Sequence, residues 1–127
     1  MIRDNRKLKV FQEADALAVA VYKATSAMPL EERYGLQIQI RRAAVSAACN
    51  IVEGTGRPKE RDYCRFLHIA RSSARETGYL IDLSVRLGFI PPEAANRLVR
   101  RYAGLDAGLL RLTETIESAQ SAGSGID

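Results

Sequence analysis

The chain has 127 residues, of which 46% are hydrophobic and 27% are charged, a composition typical of one soluble globular domain. Its 19 Lys and Arg residues outnumber its 15 Asp and Glu residues and give a net charge of +4. The longest uncharged run, residues 43–52, is about half as long as a bilayer-spanning helix, so we expect no membrane segment.

Four prolines divide the chain into four segments of helical length. They are Pro29, Pro58 and the pair Pro91 and Pro92. Proline lacks the N–H that a helix interior requires but fits the first turn, so each break marks a joint between two helices. We therefore predict a single domain over residues 1–127, with helices over about 10–28, 34–55, 58–88 and 92–120 and a frayed tail over 121–127.

Apolar residues recur at alternating spacings of three and four in the first and last segments, which is the seam of a helix bundle. The first segment has this pattern at Val10, Ala14, Leu17, Val21, Ala24 and Met28, and the last has it at Ala95, Leu98, Tyr102, Leu105, Leu109, Leu112, Ile116 and Ala119. No useful stretch alternates apolar and polar residues as a strand does. The pattern predicts an all-α protein, an up-down-up-down four-helix bundle.

The second segment has apolar residues on both sides of a narrow polar stripe. The stripe contains Arg42, Ser46, Asn50 and Glu53; Ile40, Ala43, Ala44, Ala47 and Ile51 lie on one side, and Val45, Ala48 and Val52 on the other. A helix that is apolar nearly all round should be buried nearly all round, and one bundle buries only one face. We therefore expect the second apolar side to contact another subunit, although scattered surface Val and Ala often have no role.

The polar stripe itself allows two interpretations. It is either an internal hydrogen-bonded network that fixes helix register, with Glu76 of the third helix as a partner, or a catalytic or ligand-binding site. Because the stripe lies between two apolar strips, we favour the structural network.

The third segment, opened by Pro58 and ended at Gly88 by a left-handed cap, is the basic part of the chain. Nine basic and five acidic residues lie between Arg41 and Arg86, which accounts for the whole net charge. The residues expected to contact phosphate are Arg57, Lys59, Arg61, Arg65, Arg75 and Arg86, with His68 and Tyr79 on the same side of the helix. The alternative is a solvated helix face, which is the favoured interpretation for a single subunit and less so for an oligomer that repeats the stripe.

The sequence offers little for catalysis or metal binding. Cys64 and His68 are four residues apart, but two ligands do not form a metal site, and the chain has no second histidine. No nucleophile triad or glycine-rich phosphate loop is present. We expect no cofactor, no metal and no small-molecule substrate. Glu13 and Asp15 interrupt any secretory leader, and Cys49 and Cys64 form no disulfide framework, so we predict a cytoplasmic protein with reduced thiols.

Residues 29–54 resemble a known family signature. The run PLEERYGLQIQIRRAAVSAACNIVEG is similar to that of the four-helix bundle proteins named for intervening sequences in bacterial ribosomal RNA genes. The matching positions are Pro29, Glu32, Tyr34, Gly35, Leu36, Gln39, Arg42, Ala43, Ser46, Asn50, Ile51, Glu53 and Gly54, followed by Phe66, Leu67, Ala70, Arg71, Ser73 and Glu76. Two positions depart from the family: Ser72 replaces its usual glycine, and Phe11 replaces a frequent tryptophan.

The resemblance implies a small, all-helical, cytosolic protein with no established enzymatic activity. Some members of the family form ring-shaped homopentamers, and a related branch includes accessory proteins of diversity-generating retroelements, which are associated with nucleic acid. We therefore predict a non-enzymatic homo-oligomeric ring, with a pentamer favoured, that binds RNA or DNA through the loop between helices two and three and the basic stripe. The alternative is a scaffold for protein partners in which the arginines serve only solubility.

Overall fold

The computed structural model describes residues 3–124, which contain four α-helices and no strand. These helices are α1 (Lys9–Thr25), α2 (Leu36–Thr55), α3 (Glu60–Arg86) and α4 (Pro92–Ser124). Each helix packs against the next one in the chain, and α1 closes the arrangement by packing against α4. The prediction of an all-α protein with four helices is confirmed.

The joint between α1 and α2 is longer than the sequence predicts, since α1 ends before residue 28 and α2 begins at Leu36 rather than at residue 34. α1 ends at Thr25 rather than at Met28. Pro29 disfavours helical backbone at Met28, and residues 26–28 form turn hydrogen bonds instead, with the N–H of Ser26 donating to Lys23 and that of Met28 to Thr25. Side chains of α2 then satisfy the end of α1. Gln37 Nε2 donates a hydrogen bond to the carbonyl oxygen of Thr25 at 2.8 Å, and Arg41 Nε donates one to Thr25 Oγ1 at 2.9 Å.

The α2–α3 joint spans residues 56–59, and α3 begins two residues after Pro58 instead of at it. Glu60 and Asp62 occupy the first turn of α3, where negative charge is favourable for the helix dipole. At the other end Gly88 has a φ of 79°, which confirms the predicted left-handed cap. The N–H of Phe89 donates to the carbonyl oxygen of Ser84 at 2.8 Å and closes the helix.

α4 is longer than predicted. It continues to Ser124, past the expected end at residue 120, since no proline or left-handed glycine interrupts it there. Helix therefore covers most of the segment that was expected to fray, and residues 125–127 of that segment lie outside the described part of the chain.

The core follows the bundle axis and is built from aliphatic side chains with small residues between them. Its fully buried members include Leu17, Val21, Ile40, Ile51, Leu67, Ile81 and Leu109, together with Ala14, Ala44, Ala70, Ala74 and Ala95. Alanine at these positions allows the helices to approach closely. Between residues 3 and 124, no helix combines the length and the apolar character that crossing a membrane requires.

Candidate nucleic-acid interface

Phe66 of α3 holds two arginines at the α2–α3 joint. The guanidinium carbon of Arg57 lies 4.7 Å from the centre of the Phe66 ring, and that of Arg65 lies 4.5 Å from it. Arg57 also approaches a carboxylate oxygen of Glu53 at 3.8 Å, whereas Arg65 has no ion pair within the described residues. Two like charges are therefore positioned at one aromatic ring, and only one of them, Arg57, has a carboxylate within ion-pair distance.

The segment before α1 fixes the conformation of this joint. Arg3 donates hydrogen bonds to the carbonyl oxygen of Arg57 and to the carboxylate of Glu60. Its guanidinium carbon also lies 4.3 Å from the centre of the Tyr63 ring. The sequence pattern gave no reason to place Arg3 here, because its partners are more than fifty residues away and no periodicity includes it.

Lys59 and Arg61 complete the basic end of the bundle. Both side chains are exposed, and neither forms an ion pair with a described residue. A cavity of about 420 Å³ adjoins the joint, lined by Arg3, Asn5, Val52, Thr55, Gly56, Arg57 and Pro58. The joint therefore presents positive charge next to a concave surface.

The rest of the predicted basic stripe is paired with acidic side chains. Arg71 Nε donates to Asp106 Oδ1 of α4 at 2.8 Å, and Arg75 Nη1 donates to Asp106 Oδ2 at 3.4 Å. Arg86 contacts Asp82 one turn earlier, with its Nε 3.0 Å from Oδ2. These pairs divide the six predicted phosphate contacts into two groups: Arg57, Lys59, Arg61 and Arg65 at the joint, and Arg75 and Arg86 in ion pairs along α3.

The lone histidine also lies beside an acidic side chain of α4. His68 Nε2 lies 3.2 Å from a carboxylate oxygen of Glu117 on α4, and Tyr79 is exposed further along α3. The acidic residues of α4 were not identified from the sequence as partners, because the register of α4 against α3 is not visible in a single periodic pattern.

Only part of the predicted polar network is formed. Ser46 Oγ and Ser73 Oγ share a hydrogen bond of 2.8 Å across the α2–α3 contact. Asn50 Nδ2 donates to the carbonyl oxygen and the hydroxyl of Ser46, at 2.8 and 3.1 Å. The serine on α3 was not identified from the sequence, although it lies on the apolar face of that helix.

Three members of the predicted network form no hydrogen bond within it. Arg42, Glu53 and Glu76 are exposed, and none is hydrogen-bonded to Ser46 or Ser73. Long charged side chains remain in water unless a buried partner offsets their desolvation, and the short serine side chains already satisfy each other. The hydrogen-bonded part of the stripe is thus limited to two serines and one asparagine, and its charged residues lie in solvent.

The described residues contain no group of three or more His, Cys, Asp or Glu side chains that could hold a metal ion. Cys64 is buried, and burial raises the pKa of its thiol, as it raises the pKa of the neighbouring phenol of Tyr63. Neither group is therefore ionised near neutral pH. The guanidinium and ammonium groups at this end of the bundle are suited to binding anions.

The sequence profile of the 23S rRNA-intervening sequence protein family matches residues 6–110. The crystal structure of a protein of unknown function from the S23 ribosomal protein family of Bacteroides thetaiotaomicron is similar, with a TM-score of 0.76 and 23% identity over 83% of this chain and 95% of that one. No curated protein matches the chain.

Proposed function

The chain belongs to the 23S rRNA-intervening sequence protein family, and from this premise we propose that it is a non-enzymatic, cytoplasmic protein that binds RNA or DNA through the α2–α3 joint. The resemblance seen in residues 29–54 is thereby confirmed as a family relationship. Membership of this family does not by itself assign an activity to the chain.

One observation supports the proposal: of the four cations at the joint, Lys59, Arg61 and Arg65 form no ion pair with a described residue, and Arg57 has only Glu53, at 3.8 Å. Phe66 positions Arg57 and Arg65, and Lys59 and Arg61 lie exposed beside them. Planar guanidinium groups match phosphate oxygens and also stack on bases. The arginines further along α3 already form ion pairs with Asp106 and Asp82, so they are less available to bind phosphate.

We also propose that the protein is a homo-oligomeric ring, with a pentamer favoured by the resemblance. The second apolar side of α2 supports this assembly, since Val52 near its C-terminal end is 43% exposed in the single chain. Val19 of α1 is also exposed, at 52%. Burying aliphatic side chains of this kind stabilises an interface, and a ring would repeat the basic joint around its circumference.

The nucleic-acid proposal is tested by titrating labelled single-stranded RNA and DNA with the protein at two salt concentrations. We expect binding that weakens as salt rises, because cations that contact phosphate release counterions. A triple variant, Arg57→Ala, Lys59→Ala and Arg61→Ala, should bind more weakly and show a smaller salt slope, by up to about one per cation removed.

A control variant removes the same charge elsewhere. Arg97→Ala, Arg100→Ala and Arg111→Ala change three exposed side chains of α4 and leave the joint intact. Equal losses in the two triple variants would show non-specific attraction to the whole molecule and contradict the proposed site. Absence of binding at low salt would instead favour the alternative function, a scaffold for protein partners.

The assembly is tested separately by measuring the mass in solution. Val19→Asp places a charge at an exposed apolar position of α1 without touching the core, so the variant should remain folded and dissociate. A wild-type protein that is monomeric at all concentrations would exclude the ring and leave the nucleic-acid proposal to stand on single-site affinity.

A further inference from the structure

A second basic surface lies at the other end of α2. A groove of about 630 Å³ runs between α1 and the first half of α2, with Tyr22, Tyr34, Arg33, Arg41 and Arg42 around an apolar base of Ile38 and Val45. The α2–α3 joint follows the last residue of α2, a helix of 20 residues that is about 30 Å long. The groove is therefore separate from the site proposed above.

Arg41 is held rigidly at the edge of this groove. Its Nε donates to Thr25 Oγ1 at 2.9 Å, its Nη2 donates to the carbonyl oxygen of Tyr22 at 3.2 Å, and its guanidinium carbon lies 4.5 Å from the centre of the Tyr22 ring. All three partners are uncharged. The guanidinium is thus oriented without being neutralised, and its remaining N–H groups make no hydrogen bond to a described residue.

The neighbouring cations are equally uncompensated. No carboxylate of residues 3–124 lies within ion-pair distance of Arg33, Arg41 or Arg42, whereas Arg71, Arg75 and Arg86 of α3 are all paired. Three arginines at one concave surface without an acidic partner attract an anion. The charge of this groove consequently specifies a negatively charged occupant.

The tyrosines specify what the anion carries. The side chain of Tyr34 is 84% exposed and that of Tyr22 is 45% exposed, so both rings present flat apolar surface to water. Nucleobases stack on aromatic rings and on guanidinium planes, and phosphates bind the guanidinium fork. The groove volume also falls in the range of ordinary ligand pockets, roughly 300–1,000 Å³.

We propose that this groove binds one nucleotide, either free or as a unit of single-stranded nucleic acid, with its base on Tyr34 and its phosphate on the three arginines. An acidic peptide would satisfy the charge but leave the tyrosine rings without a planar partner. A second copy of the chain carries its own net charge of +4 and matches the groove poorly. This groove is a second site, and nucleotide binding there does not require the α2–α3 joint.

The test is equilibrium dialysis of the full-length protein with labelled AMP and, separately, with inorganic phosphate. Wild type should bind AMP more tightly than phosphate, because only AMP adds stacking. Tyr34→Ala, which removes an exposed ring and spares the core, should weaken AMP binding about tenfold or more and leave phosphate binding unchanged. Arg42→Gln should weaken both, and Tyr79→Ala, which removes an exposed ring from α3, should weaken neither.

The source of the nucleotide is found by competition with a short single-stranded RNA. Displacement of AMP by RNA identifies a nucleic-acid unit, and binding of AMP without displacement identifies a free nucleotide; both support the groove. Equal affinity for AMP and phosphate, or equal losses in Tyr34→Ala and Tyr79→Ala, would overturn it. So would a Tyr34→Ala variant that changes the mass in solution but not the AMP affinity, since that result assigns the groove to a second copy.

The triple joint variant separates the two proposals. If it loses RNA binding but retains AMP binding, both sites exist. If wild type binds RNA through the joint but binds no AMP, the groove proposal fails and the function proposed for the joint remains.

Discussion

Gly54 of α2 packs directly against Phe66 of α3, so closely that a Cβ placed on the glycine would lie 3.0 Å from the Cβ of Phe66. The same added carbon would lie 3.1 Å from Cδ1 of Tyr63. This close approach sets the position of the ring on which Arg57 and Arg65 stack. The helix contact and the candidate interface are therefore linked through one glycine.

Gly54→Ala should destabilise the protein and disturb the joint. The methyl group meets side chains and backbone at 3.0–3.2 Å, closer than nine in ten real Cβ contacts, so α2 and α3 must shift apart by a few tenths of an ångström, at a cost of about 1–3 kcal/mol. Urea denaturation gives the loss of stability, and the RNA titration gives the loss of binding.

The matched control is Gly104→Ala on α4, where nothing lies within 4 Å of the added carbon. There the substitution should raise stability, by up to about 1 kcal/mol, because alanine is the better helix former. If Gly54→Ala behaved like this control, the tight contact between α2 and α3 would be wrong.

Asp106 is the residue that neutralises the middle of the basic stripe. Its side chain is 17% exposed and accepts hydrogen bonds from Arg71 and Arg75. Asp106→Asn should lower stability by about 1–2 kcal/mol, since charge-assisted hydrogen bonds are lost. It should also raise the affinity for nucleic acid, because two arginines lose their carboxylate partner.

The control for this effect is Glu114→Gln, which removes one negative charge from an exposed position of the same helix. Both variants raise the net charge equally, so a larger gain in affinity for Asp106→Asn identifies the released arginines as its cause. Equal gains would mean that overall charge alone determines the affinity, and would argue against a local role for ion pairing.

The sequence allowed the helices to be predicted but not the contacts between them. Proline positions and apolar spacing indicated four helices, and Gly88 indicated the end of the third. Five boundaries differed from prediction by two to four residues: the end of α1, the start of α2, both ends of α3 and the end of α4. Local features, such as the residue before Pro29, decide where a helix begins or stops.

The candidate site was predictable only as a region. The excess of positive charge located the joint, but the division of the stripe depends on Asp106 and Glu117, which reach α3 from another helix. Arg3 was missed for the same reason, since its partners are distant in sequence. Pairing between helices is decided by register, and a periodic pattern fixes the face of a helix without fixing its register.

Ser46 and Ser73 provide a test of the small network that replaces the predicted one. Ser46→Ala and Ser73→Ala should each lower stability by about 1 kcal/mol, because each leaves the other hydroxyl without its partner. The double variant should cost less than the sum of the two, as expected for residues in direct contact. Denaturation curves of the four proteins give the coupling energy.

Glu53→Gln and Glu76→Gln serve as the comparison for this cycle. Both side chains are exposed and lie outside the serine contact, so the midpoint of unfolding should change little. A loss above about 1 kcal/mol in either variant would restore the larger network that the sequence predicted.

Tyr102 links the core to the behaviour of the protein at high pH. Its ring is 1% exposed, and its hydroxyl has no hydrogen-bond partner among the described residues. Burial raises the pKa of Tyr102 well above the ordinary value of 10.0. The folded state therefore keeps the phenol protonated at a pH where the unfolded chain ionises it. The free energy of unfolding is unaffected by this difference below pH ~10. Above that pH it falls, by up to about 1.4 kcal/mol per pH unit.

Tyr102→Phe should separate the effect of the unpaired hydroxyl at neutral pH from the effect of phenol ionisation at high pH. At pH 7 the variant should be as stable as wild type or more stable by about 1 kcal/mol, because it removes a buried hydroxyl that lacks a partner. Above pH ~10 its stability should fall less steeply than that of wild type, whereas Tyr79→Phe, at a 59% exposed position, should follow the wild-type curve. Thermal denaturation of the three proteins between pH 7 and roughly pH 11 measures both slopes. A Tyr102→Phe variant that is clearly less stable at pH 7 would show that the hydroxyl has a partner in solution, such as a buried water.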